Sequence, residues 1–215
     1  MLPNIDQVVY GKFKSVCRKA IFRKTPVENV QDIVQLGYLD VCRTMRGIRD
    51  DPKQSNSFKE NALNLITELL NKPVSNQTEF DLLHNQCCEQ CIACTGNVKI
   101  QYGQAQKLLN MSMKYLYNEY AFYKGRSNSL KFPSTNIEYY FHLPVDGQIL
   151  NHLLRSCRFN KPGEMAWSKW TYAHYISFQN ELRNRLINNH KPLEIDYLLW
   201  NERNQSIATA ISGCA

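Results

Sequence analysis

"NVKIQYGQAQKLLNMSMKYLYNEY", residues 97–120, is the stretch on which the reading of this chain turns. A short loop holding Gly103 opens a helix here, and the segment just before it, residues 78–93, is helical in pattern too. Two helices joined by a tight hairpin are therefore expected around residue 100. Outward from this pair the periodicity stays helical. Val30, Ile33, Val34, Val41, Cys42, Met45 and Ile48 recur at steps of three and four, as do Phe58, Ala62, Leu65, Ile66 and Leu69. Trp170, Ala173, Ser177, Phe178 and Leu182 continue the pattern. No stretch alternates with period two, and there is no internal repeat. Clusters of Gly, Pro, Asn and Ser break the chain at 49–57, 71–77, 95–103, 123–136 and 160–164. The expected fold is all-α, with about seven or eight helices in a two-lobed bundle and a groove between the lobes. Residues 1–95 would form the N-terminal lobe. Residues 96–215 would hold the hairpin, with the C-terminal helices packing back on it.

The chain has 215 residues, 43% hydrophobic and 21% charged, enough for one core or two small lobes sharing an interface. No apolar run reaches spanning length, and the first twenty residues lack a signal-peptide pattern. A cytoplasmic protein without a membrane partner is expected, with its thiols reduced. Twenty-six Lys and Arg against 19 Asp and Glu give a net charge of +7, which favours a polyanionic partner, nucleic acid first.

Four of the eight cysteines fall in "CCEQCIAC", residues 87–94, where Cys87, Cys91 and Cys94 have the C-x3-C-x2-C spacing of an iron–sulfur motif. The same residues continue the apolar stripe of Phe80 and Leu83, and a buried free cysteine behaves as a small hydrophobe. No β/α alternation surrounds the motif, and a zinc site would need a fourth ligand at motif spacing. Core packing is the expected role, and no metal or cofactor is assigned.

Three other pieces carry chemistry-bearing residues. Lys107 lies in the first turns of the helix after the hairpin, whose electropositive start suits a phosphate. That positive end, Lys114 two turns on, and partial burial would all disfavour the ammonium of Lys107, leaving an amine able to form a Schiff base. In "FHLPVDGQIL", residues 141–150, Asp146 falls at a helix N-cap, which also places a rigid carboxylate where a developing cation could be stabilised. In "KPLEIDYLLWNER", residues 191–203, Asp196 and Trp200 share one helix face, an acid beside a flat ring.

In this order the three pieces resemble the helix-hairpin-helix DNA glycosylases, most of all the archaeal 8-oxoguanine type. The family's "QK" pair looks like Gln106-Lys107, its "PVD" like Pro144-Val145-Asp146, and its "PLHLDxLLW" like residues 192–200. The resemblance covers roughly residues 98–203. Glu194 stands where the family has His, and the stretch between Lys107 and Asp146 is longer, through 123–136. The resemblance implies a monomeric DNA glycosylase, with AP lyase activity, acting on double-stranded DNA that contains a modified base. Lys107 would be its nucleophile and Asp146 the catalytic carboxylate. Asp196 and Trp200 would bind the extruded base, and Gly103, Gln106 and Lys114 would contact DNA. Arg126, Lys131, Arg155 and Arg158 would add phosphate contacts, and Trp167, Trp170 and Trp200 stacking surfaces. Base excision repair and defence against modified viral DNA both fit, in the cytoplasm and at the nucleoid. The alternative is a helix-hairpin-helix module that binds nucleic acid without chemistry.

Overall fold

A computed structural model describes residues 29–96, 98–122, 137–187 and 191–204, with backbone alone at 46, 118–122 and 200–204. Arg126, Lys131 and the lengthened 123–136 stretch lie outside the described residues. Those described fold as eight α-helices without a strand: α1 (Val30–Val41), α2 (Arg46–Arg49), α3 (Pro52–Asn71), α4 (Gln77–Ala93), α5 (Tyr102–Phe122), α6 (Gly147–Ser156), α7 (Tyr172–Leu182) and α8 (Pro192–Asn204). Short 3₁₀ turns at Cys42–Thr44, Ile137–Tyr139 and Trp167–Lys169, and a π-helical turn at Arg183–Ile187, link them.

The helix starts are written locally. Asn29 and Asp32 form a reciprocal capping box on α1. Asp51 accepts from Lys53 N and Gln54 N, with Pro52 at the first helical position of α3, and Asn76 accepts from Glu79 N to start α4. Asp146 starts α6 by accepting from Gln148 N and Ile149 N, both at 2.9 Å.

The buried apolar side chains form one continuous cluster from Ile33 to Leu199, and α5 is its centre. From Tyr102 to Tyr117 every residue of α5 is buried. It packs on α1, α3 and α4 from the N-terminal part of the chain, and on α7 and the Trp167–Lys169 turn from the C-terminal part. The expected boundary near residue 95 falls in the linker 94–101 between α4 and α5, which pack against each other. A helix apolar all round would suffice for a core, yet α5 buries Gln104, Gln106, Lys107, Asn110, Ser112 and Lys114 as well. Polar groups so placed are costly unless they are bonded, and the partners of Gln106, Lys107, Asn110 and Lys114 define the site.

The α1–α5 crossing depends on Gly37. A methyl there would overlap the Ser112 hydroxyl and press on the Leu108 carbonyl oxygen. Gly37→Ala is therefore expected to destabilise the fold by about 1–3 kcal/mol, the usual cost of overpacking. A urea midpoint equal to that of the wild type would show that the two backbones have room to part.

The cysteine stripe is core, as expected. Cys87, Cys88 and Cys91 are buried, and burial pushes the Cys87 thiol up to about 11 and raises those of Cys88 and Cys91 as well. The Leu65 carbonyl lies 3.8 Å from Cys87 Sγ, and His84 Nδ1 lies 3.7 Å from Cys88 Sγ. Thiols held neutral in this way are poor ligands and poor nucleophiles.

Candidate functional site

Lys107 is the sixth residue of α5 and Asp146 the N-cap of α6, and the fold brings them together across 39 residues of sequence. Lys107 Nζ donates to Asp146 Oδ2 at 3.0 Å. The lysine side chain is 5% exposed and the carboxylate 31%, so the pair has a buried inner end and an open outer one. Asp146 divides its oxygens: Oδ1 caps α6 while Oδ2 takes the ammonium. Burial works against ionisation of Asp146, but the Lys107 charge and the two backbone N–H groups outweigh it and hold its carboxyl below the ordinary carboxylate range.

Two turns further along α5, Lys114 forms a second buried ion pair with Asp196 of α8. Both side chains are almost fully enclosed, at 5% and 3% exposure, and the Lys114 ammonium also lies 5.0 Å from the centre of the Tyr197 ring. Each ammonium on this face of α5 thus has its own carboxylate. The repulsion expected between Lys107 and Lys114 is offset by these partners. Seven residues of helix separate the two pairs, about 10 Å.

The three residues expected to touch DNA are occupied inside the protein instead. Gly103 N donates to the Trp170 carbonyl at 3.1 Å, and a side chain at 103 would overlap the Trp167 carbonyl oxygen. Its glycine identity serves the close approach of the 167–170 backbone to the start of α5. Gln106 is 0% exposed, and Lys114 is committed to Asp196. The physical reason is the position of α5: a helix surrounded on every face has no side left for a phosphate. Trp170 is fully buried as well, whereas Trp167 is half-buried with its indole edge against Gly147, the residue after Asp146. Trp200 lies on α8 one turn after Asp196, but its side chain is outside the described residues.

Exposed cations lie instead along the last turn of α6 and the segment after it. Arg155, Arg158, Lys161 and Lys169 are all exposed there. Arg158 turns the chain with a φ of 50°, a conformation that an arginine rarely adopts, and Arg185 braces it by donating to the Cys157 and Arg158 carbonyls at 2.6 and 3.1 Å.

A feature that the sequence did not disclose runs beneath the Lys107–Asp146 pair. Residues 141–145 lie outside any helix and are wholly buried. Gln179 of α7 holds both backbone groups of Leu143, accepting from its N–H at 3.2 Å and donating to its carbonyl at 2.8 Å. His142 lies between Asp81 Oδ1, 2.8 Å from Nε2, and the Tyr175 hydroxyl, 2.7 Å from Nδ1. Asp81 also takes a two-pronged contact from Arg183 at 2.7 and 2.8 Å. Although burial opposes it, the His142 and Arg183 contacts hold the Asp81 carboxyl at about 2, while burial lowers His142 to about 4 and His84 well below its ordinary value.

The acid response follows from these shifts. As pH falls, the unfolded chain takes protons on both imidazoles near the ordinary 6.5, whereas folded His142 resists until about 4. Stability is therefore complete above that ordinary value and is lost as pH descends toward the folded one, by roughly a few kcal/mol in all. Denaturant midpoints across this window should fall steadily for the wild type and less steeply for His142→Gln. A flat profile would mean that these imidazoles are not held neutral.

Among the described residues no group of His, Cys, Asp and Glu is arranged to hold a metal ion, and no helix is long and apolar enough to cross a membrane. Comparison with protein-family models, curated proteins and solved structures gives no significant match to this chain.

Proposed function

We propose that the protein is a DNA glycosylase that excises a modified base from double-stranded DNA through a Schiff base on Lys107. The observation that carries this reading is the Lys107–Asp146 contact. A lysine and a carboxylate from segments resembling the glycosylase "QK" and "PVD" motifs meet at 3.0 Å, with the carboxylate at the surface end. Buried lysines are rare, and a buried ion pair adds little net stability over an apolar pair of similar size. Two such pairs on one face of the central helix are better explained by chemistry than by folding.

A base inside a duplex has to be rotated out of the stack before a side chain reaches its sugar. Arg155, Arg158, Lys161 and Lys169 suit the phosphates of the strand so opened, replacing the buried Gly103, Gln106 and Lys114 in that role. Lys107 gives a proton to Asp146, its nearest acceptor, and its Nζ attacks C1′. The glycosidic bond breaks, and the base leaves with the bonding electrons and takes the proton from Asp146. The carboxylate so restored stabilises the cationic character of the sugar. The amino-sugar then opens to an imine, which water hydrolyses directly or after β-elimination nicks the strand. None of these steps calls for a metal or cofactor, and one chain supplies every group. Trp167, beside Gly147, is placed to stack on the displaced nucleotide. Asp196, about 10 Å further along the same face of α5, would accept from its N–H groups only on opening of the enclosed Lys114 pair. A monomer acting on DNA in the cytoplasm fits this scheme, and 8-oxoguanine heads the substrates by resemblance.

The test is incubation with a panel of modified-base duplexes and genomic DNAs, scored for abasic sites and for borohydride-trapped protein–DNA adduct. Release of a modified base with little action on unmodified DNA supports the reading; binding without release on every duplex favours a module that only binds. Asp146→Asn should bind normally but turn over on the order of 10²-fold more slowly, as expected on losing a preorganised charge. Asparagine caps a helix as well as aspartate, and the pair is open to water at its outer end, so the melting temperature should fall only modestly, through the lost charge beside Lys107. A loss of stability in step with activity would reduce Asp146 to a cap.

A further inference from the structure

Beneath the ion pair, the buried polar side chains form a single chain of hydrogen bonds whose direction is determined at one end. The Asp81 carboxylate only accepts, so His142 Nε2 carries the hydrogen and His142 Nδ1 is the acceptor. The Tyr175 hydroxyl must then donate to Nδ1, and its oxygen accepts from Asn110 Nδ2 at 2.7 Å. The second hydrogen of that amide goes to Gln106 Oε1 at 2.8 Å, while Asn110 Oδ1 accepts from His84 Nε2 at 2.9 Å. Gln106 Nε2 ends the chain, donating to the Gly103 carbonyl at 2.8 Å and reaching the Val145 carbonyl at 3.5 Å. No member can rotate its amide or ring without breaking two bonds.

The ends of this chain are the two segments that carry the pair. Gln106 precedes Lys107, and Val145 precedes Asp146. Backbone outside a helix and buried as 141–145 is buried would leave its N–H and C=O groups unmet, a costly state. Here the side chains of Gln179, Gln106 and His142 meet them or anchor the segment. An apolar interior would bury the same stretch without specifying where along α5 it stops.

We propose that Gln179, together with the relay Asp81–His142–Tyr175–Asn110–Gln106, is a positioning device that sets Asp146 opposite Lys107. It fixes the register of 141–146 against α5, so these residues act on the reaction through the pair and touch no substrate. Asn110 and Tyr175 couple α7 to α5, so a change at the Asp81–Arg183 end reaches Gln106 through the side chains of the relay, and from there the backbone that flanks the pair. The kinetic part of this rests on the glycosylase reading; the geometric part does not.

The test uses two near-isosteric variants of the full chain. Tyr175→Phe removes the central hydroxyl, and Gln179→Glu keeps an acceptor for the Leu143 N–H but has no donor for its carbonyl. Crystal structures of both should show Lys107 Nζ and Asp146 Oδ2 parted beyond hydrogen-bonding distance with the helices in place. On an accepted substrate, kcat should fall by about 10- to 100-fold at unchanged duplex affinity, since a displacement of about 1 Å costs that much. Gln179→Met should be as slow as Gln179→Glu, because neither donates. An intact ion pair in both variants overturns the proposal, whatever the substrate proves to be. So does a wild-type kcat in folded protein whose melting temperature has dropped, for that is the mark of a purely structural network. If no duplex is ever cleaved, the glycosylase reading fails and the crystal structures alone still decide this one. Should Gln179→Glu not fold, Tyr175→Phe carries both readouts.

Discussion

Lys107→Gln leaves no borohydride-trappable adduct and lowers excision by roughly 10³-fold or more, while the variant still binds duplex DNA. The expectation rests on geometry as well as on resemblance. Lys107 is the only amine in contact with the exposed-end carboxylate among the described ion pairs, since Lys114 is enclosed with Asp196. Glutamine has nearly the same length and keeps a hydrogen-bond donor toward Asp146, so the site should not collapse. The binding half of the prediction follows from the placement of the cations. Arg155, Arg158, Lys161 and Lys169 are exposed and untouched by the substitution. Phosphate contacts of that kind supply most of the affinity and weaken with salt. Undiminished trapping by Lys107→Gln would transfer the nucleophile to another lysine, and Lys114 would be examined next.

Asp196→Ala is expected to be the most damaging single change to stability, by about 3–5 kcal/mol, because it leaves the Lys114 ammonium buried without its carboxylate. The two side chains are 5% and 3% exposed, so water cannot take the place of the partner. The double change Lys114→Met with Asp196→Leu should recover most of that loss, since an apolar pair of similar volume often matches a buried ion pair. Recovery of stability without recovery of excision would separate the two roles of Asp196. Denaturant melts read the first role, and base release by whatever folded variant remains reads the second. An Asp196→Ala protein as stable as the wild type would mean that Lys114 finds water or another acceptor. One that excises every accepted base at the wild-type rate would remove α8 from base recognition.

The all-α class was legible from the periodicity of residues 30–48, 58–69 and 170–182, because a helix needs only neighbours three and four apart to declare its apolar face. One helix start was legible for the same reason: Asp146 caps through bonds to residues two and three further on. The cysteine stripe could be placed in the core because its spacing matches one helix face. Lys107, Asp146 and Asp196 were named from motif resemblance, and all three prove to be ion-pair members.

What no local pattern could give is which lysine meets which acid. That choice depends on α5 being surrounded, and a helix reads the same in sequence whether one face or all are covered. Hence Gly103, Gln106 and Lys114 read as surface contacts, while the packing of α1, α3, α4 and α7 around α5, with Asp196 of α8 on Lys114, turned each of them inward. Gln179, Tyr175 and Asn110 gave no signal at all, for a glutamine on a helix is ordinarily solvated. Their partners lie 36 and 65 residues away, at Leu143 and within the Asn110–Tyr175 pair itself. Short-range chemistry writes helices and caps into the order of the residues. Burial, which decides whether a polar side chain faces water or another side chain, comes into being only when the helices pack.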